Sequence, residues 1–153
     1  MTSEQDTVTI YCDGACSGNQ FKGNRGGWGA VLSCGGTVKE IHGGERNTSN
    51  QRMELAACIE ALGRLKGRSL TVEVFSDSAY VVNGMRQRWY DRWEKNGWLN
   101  YQRKPVENRD LWERLLSLVR MHNVTFHKVT GHSGVGLNER ADELARLGIS
   151  EVT

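Results

Sequence analysis

The sequence predicts an α/β fold built on a mixed sheet, and three observations predict it. Val8, Ile10 and Cys12 alternate with Thr9, Tyr11 and Asp13, the two-residue period of a strand with one face against a core. Two more β-rich runs, Trp28 to Cys34 and Thr37 to Arg46, are separated only by Gly35-Gly36, so the first three strands form an antiparallel meander. A helical stretch then leads to another β-rich run, Leu70 to Phe75. Strand, helix, strand is the pattern of a right-handed crossover, which makes the first strand and this one parallel neighbours.

The bulk properties set limits. At 153 residues the chain fits one domain with a core large enough to need no disulfide or zinc staple, and residues 1–6 and 149–153 are expected to be flexible tails. The polar start Met-Thr-Ser-Glu-Gln-Asp is unlike a secretory signal, no apolar run is long enough to span a membrane, and a cytoplasmic monomer is expected. Cys12, Cys16, Cys34 and Cys58 form no Cys-x-x-Cys pair and have no His at zinc spacing, so they read as reduced thiols. The glycines from Gly23 to Gly29 match neither a Walker loop nor a dinucleotide fingerprint, which argues against a nucleotide cofactor.

Along the chain, carboxylates recur where elements end. The first strand stops at Asp13, and Gly14 and Gly18 then allow positive φ and the close approach of another backbone. Asp-Gly is also an ordinary turn former. A helix begins near Thr48, where Thr48 and Gln51 have capping-box spacing, and Leu55, Ile59, Leu62 and Leu65 mark its buried face. Glu54 lies in its first turns, either as a favourable charge near the N-terminus or as a functional group. The strand Leu70 to Phe75 ends in Ser76-Asp77-Ser78, where Asp77 is either a cap for the helix starting near Ala79 or a neighbour of Asp13. Asp110 to Glu113 opens another helix with capping-box-like spacing and the stripe Leu111, Leu115, Leu118 and Val119. Val124 to Val129 reads as the last strand. It leads to a glycine-rich loop carrying His132, then to a helix from about Leu137 to Leu147, with Leu137, Ala141 and Leu144 inward and Asp142 beside them.

Arg86 to Lys104 differs from the rest. It carries six cations and two acids, a net of +4 in a chain of net +2, and interleaves Trp89, Trp93 and Trp98 with them. These rings either pack the segment onto the core or offer stacking surfaces beside a basic edge that includes Lys95 and Lys104.

Asp13, Glu54, Asp77 and Asp142 come from separate elements, and gathered carboxylates repel unless cations sit among them. Oxygen-only ligands suit Mg²⁺ or Mn²⁺, and two such ions about 4 Å apart can activate water and stabilise the leaving oxygen of a phosphoryl displacement. The basic segment would hold the polyanion.

Asp13-Gly-Ala-Cys-Ser-Gly-Asn19, Asn50-Gln-Arg-Met-Glu-Leu55, Ser76-Asp-Ser78, Trp89 through Trp98, Gly131-His132 and Asn138 through Ala145 together resemble bacterial type 1 ribonuclease H. The resemblance runs in order over nearly the whole chain. It implies a ribonuclease H-like fold, a five-stranded mixed sheet in the order 3-2-1-4-5 with helices on both faces. It implies endonucleolytic hydrolysis of the RNA strand of RNA·DNA hybrids by two metal ions, giving 5′-phosphate and 3′-hydroxyl ends. Asp13, Glu54, Asp77 and Asp142 then take the metal positions, and His132 that of a loop histidine aiding proton movement or product release. Cys16, Asn19, Asn50 and Gln51 match minor-groove contacts, with Ser49 near a DNA-phosphate pocket. Trp89, Trp93, Lys95 and Trp98 match the protruding basic handle. Ala79, Glu94 and Gly136 depart from the pattern of many relatives and bear on affinity and turnover. The rival readings are another carboxylate-core nuclease, such as an integrase or resolvase, and a hybrid-binding module without catalysis.

Overall fold

In the computed structural model of the chain, residues 7–18, 23–130 and 136–152 are described. The elements run β1 (Val8–Ser17), β2 (Arg25–Cys34), β3 (Thr37–Arg46), α1 (Asn50–Gly63), β4 (Thr71–Ser76), α2 (Ala79–Arg86), α3 (Trp89–Asn96), α4 (Arg109–Val119), β5 (Asn123–Lys128) and α5 (Gly136–Ser150). The strands form one five-stranded sheet in the order β3-β2-β1-β4-β5. β1 pairs antiparallel with β2 and parallel with β4, and β5 extends the parallel half. The mixed sheet expected from the meander and the crossover is the one observed.

Strand alternation distributes the core between the two faces. Val8, Ile10 and Cys12 of β1 join Leu55, Cys58, Ile59 and Leu62 of α1 and Leu111, Trp112, Leu115 and Leu116 of α4 in one large cluster. Tyr11 and Val31, of the opposite parity, pack instead with Ala141 and Leu144 of α5. The fit of α5 depends on small residues. A Cβ at Gly27 would stand 2.1 Å from the Ala145 carbonyl oxygen, and one at Gly29 would stand 2.6 Å from that of Ala141. None of the four cysteines forms a disulfide, and the buried Cys12 and Cys58 sulfurs lie 3.0 Å apart. No helix among the described residues is long and apolar enough to cross a membrane.

The structure corrects several local expectations. β1 does not stop at Asp13 but runs to Ser17, because its antiparallel ladder with β2 continues after the parallel ladder with β4 ends at Cys12 opposite Ser76. The cap of α1 is Ser49, not Thr48: its hydroxyl accepts from the Arg52 amide at 3.1 Å. α4 has no capping box either. Asn108 precedes it in left-handed backbone, and Asp110 is drawn away to Arg52, 2.8 Å distant. Its buried stripe includes Trp112 and Leu116, with Leu118 and Val119 only partly covered. On α5, Asn138 is buried while Leu137 is 37% exposed. Residues 149–152, expected as part of a tail, are docked: the helix reaches Ser150, Glu151 pairs with His42, and Arg25 reaches the Val152 carbonyl.

Candidate active site

Register brings two of the carboxylates together. The parallel ladder closes with Cys12 opposite Ser76, so the next residues, Asp13 and Asp77, emerge side by side at the carboxyl end of the paired strands. Glu54 arrives from α1, and Gly14 explains how. A Cβ there would lie 2.4 Å from the Glu54 nitrogen and from the Met53 carbonyl carbon, so only a glycine lets β1 approach α1 so closely. Carboxylate oxygens of Asp13, Glu54 and Asp77 consequently lie within 4.8 Å of one another.

The electrostatics of this cup are unfavourable by themselves. Burial, reinforced by the charges of Asp77 and Glu54, pushes the Asp13 carboxyl from 3.8 up to about 8, although the Gly14 amide donates to it at 2.9 Å. Burial likewise pushes Glu54 up to about 7, with the Ser78 hydroxyl opposing the shift and the Asp77 charge adding to it. Glu54 Oε2 is buried and has no hydrogen-bond partner. An orphaned buried oxygen among three convergent carboxylates, with no nitrogen or sulfur donor in the set, fits a hard divalent cation. The residues present therefore suit Mg²⁺ or Mn²⁺.

Asp142 stands apart from the three. It bonds Arg146 at 3.1 Å, one turn along α5, yet its charge still contributes to raising Asp13. The sheet explains this closeness. Gly29 lies opposite Asp13 in the ladder and faces Ala141, so Asp13 shares the α5 side of the sheet with the residue preceding Asp142. His132 and Asn19 lie outside the described residues. Sequence reasoning offered the cap of α2 to Asp77 and missed Ser78, whose hydroxyl caps the helix by accepting from the Val81 amide at 3.2 Å and whose second contact, to Glu54, joins residues distant along the chain.

A family model described as RNase H matches residues 5–150. The chain belongs to the RNase H family. It is 56% identical over 147 residues to the ribonuclease H of Chlorobaculum parvum (strain DSM 263 / NCIMB 8327), covering 96% of this chain and 98% of that protein. It is 54% identical over 143 residues to the ribonuclease H of Moorella thermoacetica (strain ATCC 39073 / JCM 9320), covering 94% and 91%. Among solved structures, LC9-RNase H1 superposes with a TM-score of 0.83 at 33% identity, over the whole of this chain and 76% of that one. LC11-RNase H1, solved with an RNA/DNA hybrid, shares the fold at a TM-score of 0.67 and 22% identity, covering 94% and 97%. The chain is thus an enzyme of the RNase H family.

The remaining RNase H-like positions divide by exposure. Ser49, Asn50 and Gln51 are exposed at the start of α1, with Cys16 half-buried on β1 beside them. Lys95 and Lys104 are exposed. The tryptophans are more structural than their alternation with cations suggests. Trp98 is only 7% exposed, and Trp89 and Trp93 are half-buried around the wholly buried Trp112, 6.4 and 5.5 Å from its ring. Trp112 is itself held by its indole N–H donating to the Tyr80 hydroxyl at 2.7 Å. Within the handle Arg88 pairs with Asp91, whereas the handle's Glu94 pairs with Arg120, which follows α4.

Proposed function

We propose that this protein is an endonuclease that hydrolyses the RNA strand of RNA·DNA hybrids, leaving 5′-phosphate and 3′-hydroxyl ends, with two Mg²⁺ ions, or Mn²⁺ in their place. The observation that carries this reading is the meeting of Asp13, Glu54 and Asp77 within 4.8 Å, two of them with strongly raised carboxyls and one with an orphaned oxygen. Such a cluster is costly for folding and useful for holding divalent cations. The ribonuclease H relatives at more than half identity support the substrate class.

Asp13, Glu54 and Asp77 would hold the ions, and Asp142, released from Arg146, would complete the set. Bound divalent cations supply activation of water and stabilisation of the leaving oxygen. The chain's own groups do the rest. Cys16, Asn19, Asn50 and Gln51 would lie along the wide minor groove of the hybrid, where short amides can address the 2′-hydroxyl, and Ser49 would approach a DNA phosphate. Lys95 and Lys104, with partly exposed faces of Trp89 and Trp93, would anchor the backbone. His132 would carry a proton or assist release of product.

The test is cleavage of end-labelled RNA·DNA hybrid, double-stranded RNA and double-stranded DNA of one sequence, in Mg²⁺ and in EDTA. The expected result is scission of the hybrid's RNA strand alone, abolished by EDTA. Equal cutting of double-stranded DNA, or cutting in EDTA, would overturn the proposal.

A further inference from the structure

The groove-facing residues proposed above sit on two separate segments, Cys16 on β1 and Ser49 to Gln51 at the start of α1. One buried side chain ties them. Asn24, 7% exposed at the entrance to β2, donates from Nδ2 to the Thr48 carbonyl at 2.9 Å and accepts at Oδ1 from the Thr48 amide at 3.0 Å. Its amide thus pairs with both polar groups of one backbone residue, as a neighbouring strand would. The same Nδ2 lies 3.3 Å from Cys16 Sγ. Two further bonds reinforce the join: the Asn47 amide donates to the Asn24 carbonyl at 3.0 Å, and the Gly23 amide donates to Asn47 Oδ1 at 3.1 Å.

Thr48 is the residue before the cap of α1, so whatever holds Thr48 sets where Ser49, Asn50 and Gln51 present their side chains. Its methyl packs against Gly26, but its buried hydroxyl makes no hydrogen bond, so its backbone N–H and C=O, both paired with Asn24, are its polar anchor. We infer that Asn24 is a positioning residue for substrate: it fixes the distance between Cys16 and the first turn of α1, and so the span of minor groove the protein fits. This rests on the groove contacts proposed above. Asn24 touches neither the carboxylates nor the nucleic acid. Glu54 sits a turn further along α1, where the close contact at Gly14 holds it independently.

The experiment compares Asn24→Ala, Asn24→Asp and Asn50→Ala, singly and with Asn24→Ala and Asn50→Ala combined, on hybrid cleavage, after thermal melts confirm that each is folded at the assay temperature. Asn24→Asp keeps the acceptor but turns an oxygen toward the Thr48 carbonyl, so it tests the donor without changing volume. Loss of these bonds is expected to raise KM about three- to tenfold, with kcat within about twofold. Asn24 carries no charge, so in Asn24→Ala the slope of log Kd against log salt stays that of the parent while Kd rises. In the double variant the two KM effects do not multiply, because Asn24 acts through Asn50 and its neighbours. Unchanged KM in both Asn24 variants, fully multiplicative effects, or a loss of kcat that simply follows thermal stability would overturn the inference. If Asn50→Ala leaves KM unchanged, the groove reading itself fails and takes the inference with it.

Discussion

Replacing Asp13 by Asn separates the cost of the acidic cup from its use. The amide keeps an oxygen for the Gly14 N–H but carries no charge beside Asp77 and Glu54. A carboxyl moved from 3.8 to about 8 carries an ionisation penalty of up to about 6 kcal/mol. Asp77 and Glu54 share the repulsion and water reaches the cup's rim, so removing one charge should recover about 2 kcal/mol at pH 8. Because the folded-state value is raised, the folded protein holds its proton longer than the unfolded chain does. Stability therefore declines as pH rises from about 4 to about 8 and is unaffected below that window. In EDTA, the variant should melt about 4–8 °C above the parent at pH 8 and within about 1 °C of it at pH 4. Mg²⁺ should raise the melting temperature of the parent, much less that of the variant, and cleavage of hybrid should fall by at least about a thousandfold. Scanning calorimetry in EDTA and in Mg²⁺ at the two pH values provides the comparison. A variant no more stable than the parent at pH 8, or equally stabilised at both pH values, would refute the account of a strained metal-free cup.

Gly14→Ala tests how the cup is assembled. With a new Cβ 2.4 Å from the Glu54 nitrogen, α1 must recede by about 1 Å, costing about 1–3 kcal/mol and about a hundredfold in kcat, read by denaturant melts and single-turnover cleavage. Retained kcat would mean that the spacing of Asp13 and Glu54 tolerates the shift. Lys95→Ala with Lys104→Ala tests the handle: KM should rise with kcat held, and the salt slope of binding should flatten by about one for each phosphate left without its lysine. An unchanged slope would remove these lysines from the substrate path.

Local patterns announced much of this molecule. The alternation of Val8, Ile10 and Cys12, the glycine pair at Gly35-Gly36 and the spacing of Leu55, Ile59 and Leu62 encode which faces turn inward, and the meander and the crossover agree with them, whereas the full strand order was implied by the resemblance to ribonuclease H. Asp13 and Asp77 were legible as neighbours because both follow strands that a right-handed crossover makes parallel. What only the tertiary structure decided are pairings between distant residues, which no periodicity records. Thr48 has the spacing of a cap, but Asn24, 24 positions earlier, claims its backbone and leaves the cap to Ser49. Trp98 alternates with cations as a contact residue would, yet it is buried, and Trp89 and Trp93 close around Trp112 of a later helix. Asp142 belongs to the acidic group by sequence, but in the structure it pairs with Arg146 one turn along its own helix and is not among the three carboxylates that converge. Sequence patterns report which residues avoid water; which polar groups find each other depends on distances that exist only once the sheet and helices have packed.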